Sequence, residues 1–113
     1  MHYHAHVYWN RQEQRLTAII LRDVLHGLGC SLGRVWDQPI GPHPLPMYQV
    51  NFDHNIYDAV ISVLTNKNLS VLIHEDTGDD VRDHTEGAQW IGDPLELNIK
   101  WLEEYVKDKT QEN

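Results

Sequence analysis

Tyr3-His4-Ala5-His6-Val7-Tyr8-Trp9 alternates between two kinds of side chain. A repeat of two residues belongs to an extended strand, whose successive side chains leave on opposite faces. Ala5 and Val7 therefore share an apolar face, and His4, His6 and Tyr8 share the other. This strand carries both core and chemistry, so its neighbours decide the fold.

Reading outward, Leu21, Val24, Leu25 and Leu28 fall at helical spacing within a stretch that begins near Gln12, and Gly27 and Gly29 supply a stop. Ser31 to Asp37 and Met47 to Phe52 are short β-type runs. They are joined by Gln38-Pro39-Ile40-Gly41-Pro42-His43-Pro44-Leu45-Pro46, whose prolines forbid helix and stiffen a loop. Asp53 can cap a second helix with Ile56, Val60, Val63 and Leu64 on one face, and Asn66-Lys67-Asn68 closes it before the strand Leu69 to His74. The order β-α-β-β-α-β predicts an α+β, ferredoxin-like fold: a four-stranded antiparallel sheet with both helices on one face. After the polar stretch Glu75 to Gly92, Asp93-Pro94-Leu95-Glu96 predicts the start of an extra C-terminal helix lined by Leu95, Ile99, Leu102 and Val106. Residues 1–113 read as one domain.

The chain has 113 residues, with 9 Lys plus Arg against 17 Asp plus Glu, a formal net charge of −8, 8 histidines and 1 cysteine. Nucleic acids are bound first through their phosphates, and an anionic chain without a basic cluster lacks that attraction. The apolar runs are much shorter than the roughly 20 residues of a membrane helix, and no basic-then-apolar leader opens the sequence. The expectation is a soluble, cytoplasmic protein with no nucleic-acid or membrane partner. Cys30 cannot form an internal disulfide, so a bound metal would be held by imidazole and carboxylate.

Placing Ala5, Val7, Tyr48, Val50, Phe52, Leu69, Val71 and Ile73 against the helices turns His4, His6, Tyr8, Met47, Gln49, Asn51, Ser70, Leu72 and His74 to the other face. The first and last strands of this topology are antiparallel neighbours, which brings His4 or His6 near His74. This second face is expected to be bare, and a bare sheet face suits a homodimer interface or a ligand cavity. His6, His74 and the proline-flanked His43 are candidate ligands for Fe(II), Zn(II), Ni(II) or Cu(II), with His4 a further one. The alternative is a set of solvated surface histidines. His84 follows Asp80 and Asp83, either of which could orient the ring or supply a carboxylate ligand. His26, near a helix end, is read as structural, and His2 and His54 are set aside.

Four segments together carry a resemblance: His4-Ala5-His6-Val7-Tyr8; Gly41-Pro42-His43-Pro44-Leu45-Pro46-Met47-Tyr48; Leu69-Ser70-Val71-Leu72-Ile73-His74; and Thr77-Gly78-Asp79-Asp80 with Asp83-His84-Thr85. In this order they resemble the small DOPA 4,5-dioxygenase family of fungi and bacteria, over nearly the whole chain. The resemblance implies an extradiol dioxygenase that opens a catechol, such as L-DOPA or a related catecholic acid, with non-haem Fe(II) and O₂. Zinc or another divalent ion is a stand-in for iron in a crystal. The family pattern has histidines at the positions of His6, His43, His74 and His84. It departs at Glu75, where proline is usual, and at Gln49, where an acidic residue is common.

Extradiol cleavage needs about three protein ligands and three open metal positions. Carried over to this chain, His6, His43 and His74 are the expected metal ligands. His84, oriented by Asp83, is the expected acid–base group. Tyr8, Met47 and Trp90 are expected to wall the ring, and Arg82 or Arg34 to pair with a substrate carboxylate. Two other readings compete: a noncatalytic dimeric module holding a small aromatic acid or a metal ion, and a cofactor-independent monooxygenase on a dimeric α+β barrel.

Overall fold

The computed structural model describes residues 1–111, so the last two residues of the expected domain lie outside it. In chain order the elements are β1 (His2–Tyr8), α1 (Gln12–Gly27), β2 (Ser31–Leu32), β3 (Met47–Asp53), α2 (Tyr57–Leu64), β4 (Ser70–Glu75), α3 (Asp80–Asp83), β5 (Gln89–Ile91) and α4 (Ile99–Gln111). They form one antiparallel sheet in the order β2-β3-β1-β4-β5. The central strand is β1, with Ala5 opposite Val50 on one side and Ile73 on the other.

One sheet face packs on α1 and α2. Ala5, Val7, Tyr48, Val50 and Val71 are fully buried there against Ala18, Leu25, Val60 and Leu64. The Tyr48 hydroxyl donates to the Ala18 carbonyl at 2.6 Å, so the one polar atom of that ring is satisfied inside the core. At the start of α1 the Gln14 side-chain oxygen accepts from the backbone N–H groups of Asn10 and Arg11, at 3.0 and 3.2 Å.

Four expectations are corrected. The sheet has five strands, because Gln89–Ile91 adds to the edge of β4 with Trp90 opposite Leu72. The arm Ser31 to Asp37 pairs only at Ser31–Leu32 and at an isolated bridge between Trp36 and Met47. The last helix begins at Ile99 and not at Leu95. Leu95 and Leu97 instead pack on the second sheet face, and the Asn98 side chain caps the helix by accepting from the Trp101 N–H at 3.0 Å.

The second sheet face is not bare. Tyr8, Met47 and Leu72 are buried beneath Trp36, Ile40, Leu45, Trp90, Leu95 and Leu97, which come from the arm after β2, the proline loop, β5 and the strap before α4. The apolar residues scattered through these otherwise polar segments have no other surface to cover, and removing them from water drives the closure. A homodimer argued from an open face therefore loses that basis, since the chain covers the face itself. No helix among the described residues is long and apolar enough to cross a membrane.

Gly92 closes β5 with φ +74°, and a Cβ there would fall on the Leu69 carbonyl oxygen. Gly92→Ala is expected to lower stability in urea denaturation by about 1–3 kcal/mol. Gly27→Ala, with open space around it, is expected to be neutral or stabilising by up to about 1 kcal/mol. Equal effects of the two would contradict the docking of β5 described above.

Candidate metal centre

Five histidines converge on the covered face. β1 delivers His4 and His6, and β4 delivers His74, which stands directly opposite His4 in the sheet register. His43 sits in a turn of the proline loop, its N–H donating to the Ile40 carbonyl at 3.1 Å. The short helix α3 is capped by Asp79, whose side chain accepts from the Arg82 N–H, and it ends at His84. The ring centroids of His6 lie 4.4 Å from His43, 5.3 Å from His74 and 5.6 Å from His84. His74 and His84 are 4.6 Å apart.

The hydrogen bonds of these rings assign their lone pairs. His84 Nδ1 lies 2.7 Å from the Asp80 carbonyl oxygen, and a carbonyl only accepts, so Nδ1 carries the proton and Nε2 is bare. His74 Nδ1 likewise donates to the Glu75 carbonyl at 3.0 Å. Its Nε2 then accepts from His6 Nε2 at 3.1 Å, which leaves the Nδ1 of His6 as a lone pair. That Nδ1 is buried and has no hydrogen-bond partner. His43 Nδ1 bonds the Tyr8 hydroxyl at 2.7 Å, leaving its Nε2 free of the protein.

Burial holds His6, His43 and His74 neutral. It pushes His6 well below the usual histidine range, with further lowering from His43, His74 and His84. Burial first, then His84 and His74, carries His43 down to about 3. Burial also lowers His74, against the raising effect of its bond to Glu75. The Tyr8 hydroxyl is pushed up by burial and stays protonated. Two trios offer ligand atoms that all lie within 4.8 Å of one another: His6, His43 and His84, and His4, His6 and His74. In the second, His4 is partly exposed and stands 3.5 Å from Asp76, and the facing nitrogens of His6 and His74 are already bonded to each other. The donor chemistry fits a divalent transition metal: a group of imidazoles, one orphaned buried lone pair, and outer nitrogens anchored by Tyr8, Asp80 and His74.

All four histidines of the resemblance meet here, but His43 groups with His84 rather than with His74. Asp83 does not reach the His84 ring. It is 1% exposed, and its two carboxylate oxygens accept from the N–H and hydroxyl of Thr77 at 3.0 and 2.6 Å. His84 closes α3 with its ring folded back on the carbonyl of Asp80, four residues earlier, a position taken without any side-chain partner. Met47 packs under the strap, and Trp90 stacks on Tyr8 with centroids 6.0 Å apart. Arg82 lines a small cavity of about 190 Å³ with His74 and Asp83, and Arg34 lies 4.3 Å over the Trp36 ring. Sequence reading missed two features: Tyr8 as the partner of His43, and a groove of about 970 Å³ between the proline loop and residues Leu95 to Lys100, with His43 in its wall.

The chain is 31% identical over 107 residues to a DOPA 4,5-dioxygenase of Amanita muscaria, covering 87% of this chain and 47% of that protein. It is 36% identical over 86 residues to an uncharacterized 21.2 kDa protein of Botryotinia fuckeliana, covering 67% of this chain and 47% of that one. The chain thus spans about half the length of these curated relatives. A crystal structure from Nostoc punctiforme, of a protein provisionally named a dioxygenase, superposes with a TM-score of 0.82 at 43% identity over 92% of each chain. The model of the Dopa 4,5-dioxygenase family matches residues 3–101, from the first histidine-bearing strand to the first turn of α4, and the chain belongs to that family.

Proposed function

We propose that this chain is a non-haem Fe(II) extradiol dioxygenase acting on catechols, with His6, His43 and His84 as the metal ligands. The observation that carries the reading is the state of these three rings. Each has one nitrogen tied away from the centre, to His74, Tyr8 and Asp80 respectively, and one left without a protein partner. Three imidazole ligands and no more suit a metal that must keep open positions. The family and the names of the Amanita and Nostoc relatives support dioxygenase chemistry. The core is read as ferredoxin-like with β5 as an added edge strand.

Bound Fe(II) would supply positions for the two catechol oxygens and for O₂, and the electron exchange between them. The protein's own residues do the rest. Tyr8 anchors one nitrogen of His43, and the Asp80 carbonyl, which only accepts, fixes the tautomer of His84. Leu45, Leu95 and Leu97 give the groove beside His43 an apolar wall that excludes water from the ring. His74 acts as a positioning residue: its Nε2 accepts from His6, which keeps the His6 Nδ1 lone pair available, and its Nδ1–H is anchored on the Glu75 carbonyl.

Anaerobic reconstitution with Fe(II) is expected to give one iron per chain, and addition of L-DOPA or caffeate in air a yellow ring-opened product with O₂ uptake. No turnover of any catechol by the iron-loaded protein would sink the dioxygenase reading. His43→Ala and His84→Ala are expected to lose bound iron and activity together, and Tyr8→Phe to weaken metal binding by about 10–100-fold. Iron retained in His84→Ala would refute the ligand assignment and leave the reaction standing.

The depressed histidines also set a pH dependence. Unfolded histidines take up protons below about pH 6.5 while His6 and His43 resist them, so the stability of the metal-free protein is complete above that pH and falls as pH is lowered. The fall is about 1.4 kcal/mol per pH unit for each such group until its folded pKa is reached. Urea denaturation at pH 7.5 and 5 is expected to show it, with a smaller drop in His43→Gln. A drop of equal size in that variant would be evidence against a neutral buried His43.

A further inference from the structure

The groove beside His43 holds a charge that ring cleavage itself does not use. One wall is the proline loop, and the other is the strap from Leu95 into the first turn of α4. The Asn98 N–H donates to the Pro42 carbonyl at 2.8 Å, which ties the strap to the proline loop, and the Trp101 ring stands where a side chain on Gly41 would reach. The volume of about 970 Å³ is that of a small-molecule site. Three prolines and three leucines line it, with His43 in the wall on the side of the proposed metal position. Among the lining residues Lys100 is the one cation and Glu96 the one anion.

Lys100 makes no ion pair with any described residue. Four arginines are engaged elsewhere: Arg11 pairs with Glu13, Arg15 pairs with Asp37, Arg22 donates to the Gly33 carbonyl and Arg34 lies on Trp36. Arg82 lies outside the groove and lines the small cavity with His74 and Asp83. A catechol whose ring enters at His43 extends its side chain along the leucine wall toward the strap. We propose that Lys100 binds a carboxylate on that side chain, so that the site selects catechols bearing an acid group over uncharged ones. Glu96, in the same groove, opposes a second negative charge and limits the preference to a single carboxylate. This assignment rests on the dioxygenase reading for the catechol and for its orientation.

Zn(II) loading keeps the metal position filled without turnover, so calorimetric binding of caffeate and of 4-methylcatechol tests the proposal on its own. In Lys100→Gln the ratio of the caffeate Kd to the 4-methylcatechol Kd is expected to rise about tenfold, the loss of one charge-assisted hydrogen bond. Lys100→Arg is expected to keep the wild-type ratio, and Glu96→Gln to lower it. An unchanged ratio in Lys100→Gln, or wild-type protein that binds neither compound, overturns the assignment. Wild-type protein that shows the Lys100-dependent ratio but, loaded with Fe(II), opens no catechol overturns the dioxygenase reading and supports Lys100 as the carboxylate site.

Discussion

Ala5 and Val7 lie fully buried between the sheet and the two helices, and their burial decides where every neighbouring side chain of β1 must go. A slip of one residue would drive His4, His6 and Tyr8 into an apolar core and expose Ala5 and Val7, so the register is strongly held. With β1 central, the strands on both sides inherit that choice. β3 places Tyr48, Val50 and Phe52 on the helix side, and β4 places Val71 and Ile73 there, which leaves His74 beside His4 on the opposite face. The histidine cluster is the unavoidable other side of the hydrophobic core.

Covering that face changes the chemistry of the rings it holds. Once the proline loop, β5 and the strap close over Tyr8, Met47 and Leu72, water is excluded and protonation of crowded imidazoles becomes unfavourable. His6, His43 and His74 are 2%, 8% and 3% exposed, so neutral lone pairs are gathered where little else can satisfy them. The His6 Nδ1 shows the cost directly, as a buried acceptor with no donor. A divalent metal relieves that cost, and the anchors on Tyr8, Asp80 and His74 prevent the rings from turning away to relieve it among themselves.

Much of this was legible in the residues. The alternation of β1, the helical spacing of Leu21, Val24, Leu25 and Leu28, and the β-type runs of β3 and β4 led to the correct central elements and faces, because each pattern repeats a core-facing residue at a fixed period. β5 was not legible: its three residues are too few for alternation to show in a polar stretch. Pro94 reads as the first residue of a helix, yet Leu95 and Leu97 alternate with Glu96 and Asn98 and are used as an extended strap. At the site, the meeting of His6 with His74 followed from strand register, whereas His43 and His84 are placed by loops whose path is set by what they cover. The partner of His84 is a main-chain carbonyl, which no residue type encodes, and the nearby Asp83 drew the assignment instead.

The central claim is that the covered face holds one metal through His6, His43 and His84. Crystals of the protein loaded with Fe(II) or Zn(II), measured across the metal absorption edge, test it most directly. The account predicts a single anomalous peak about 2.0–2.2 Å from one nitrogen of each of these three rings, with His74 hydrogen-bonded to His6 outside the coordination sphere. A peak bound by His4, His6 and His74, or no peak on this face, would contradict it.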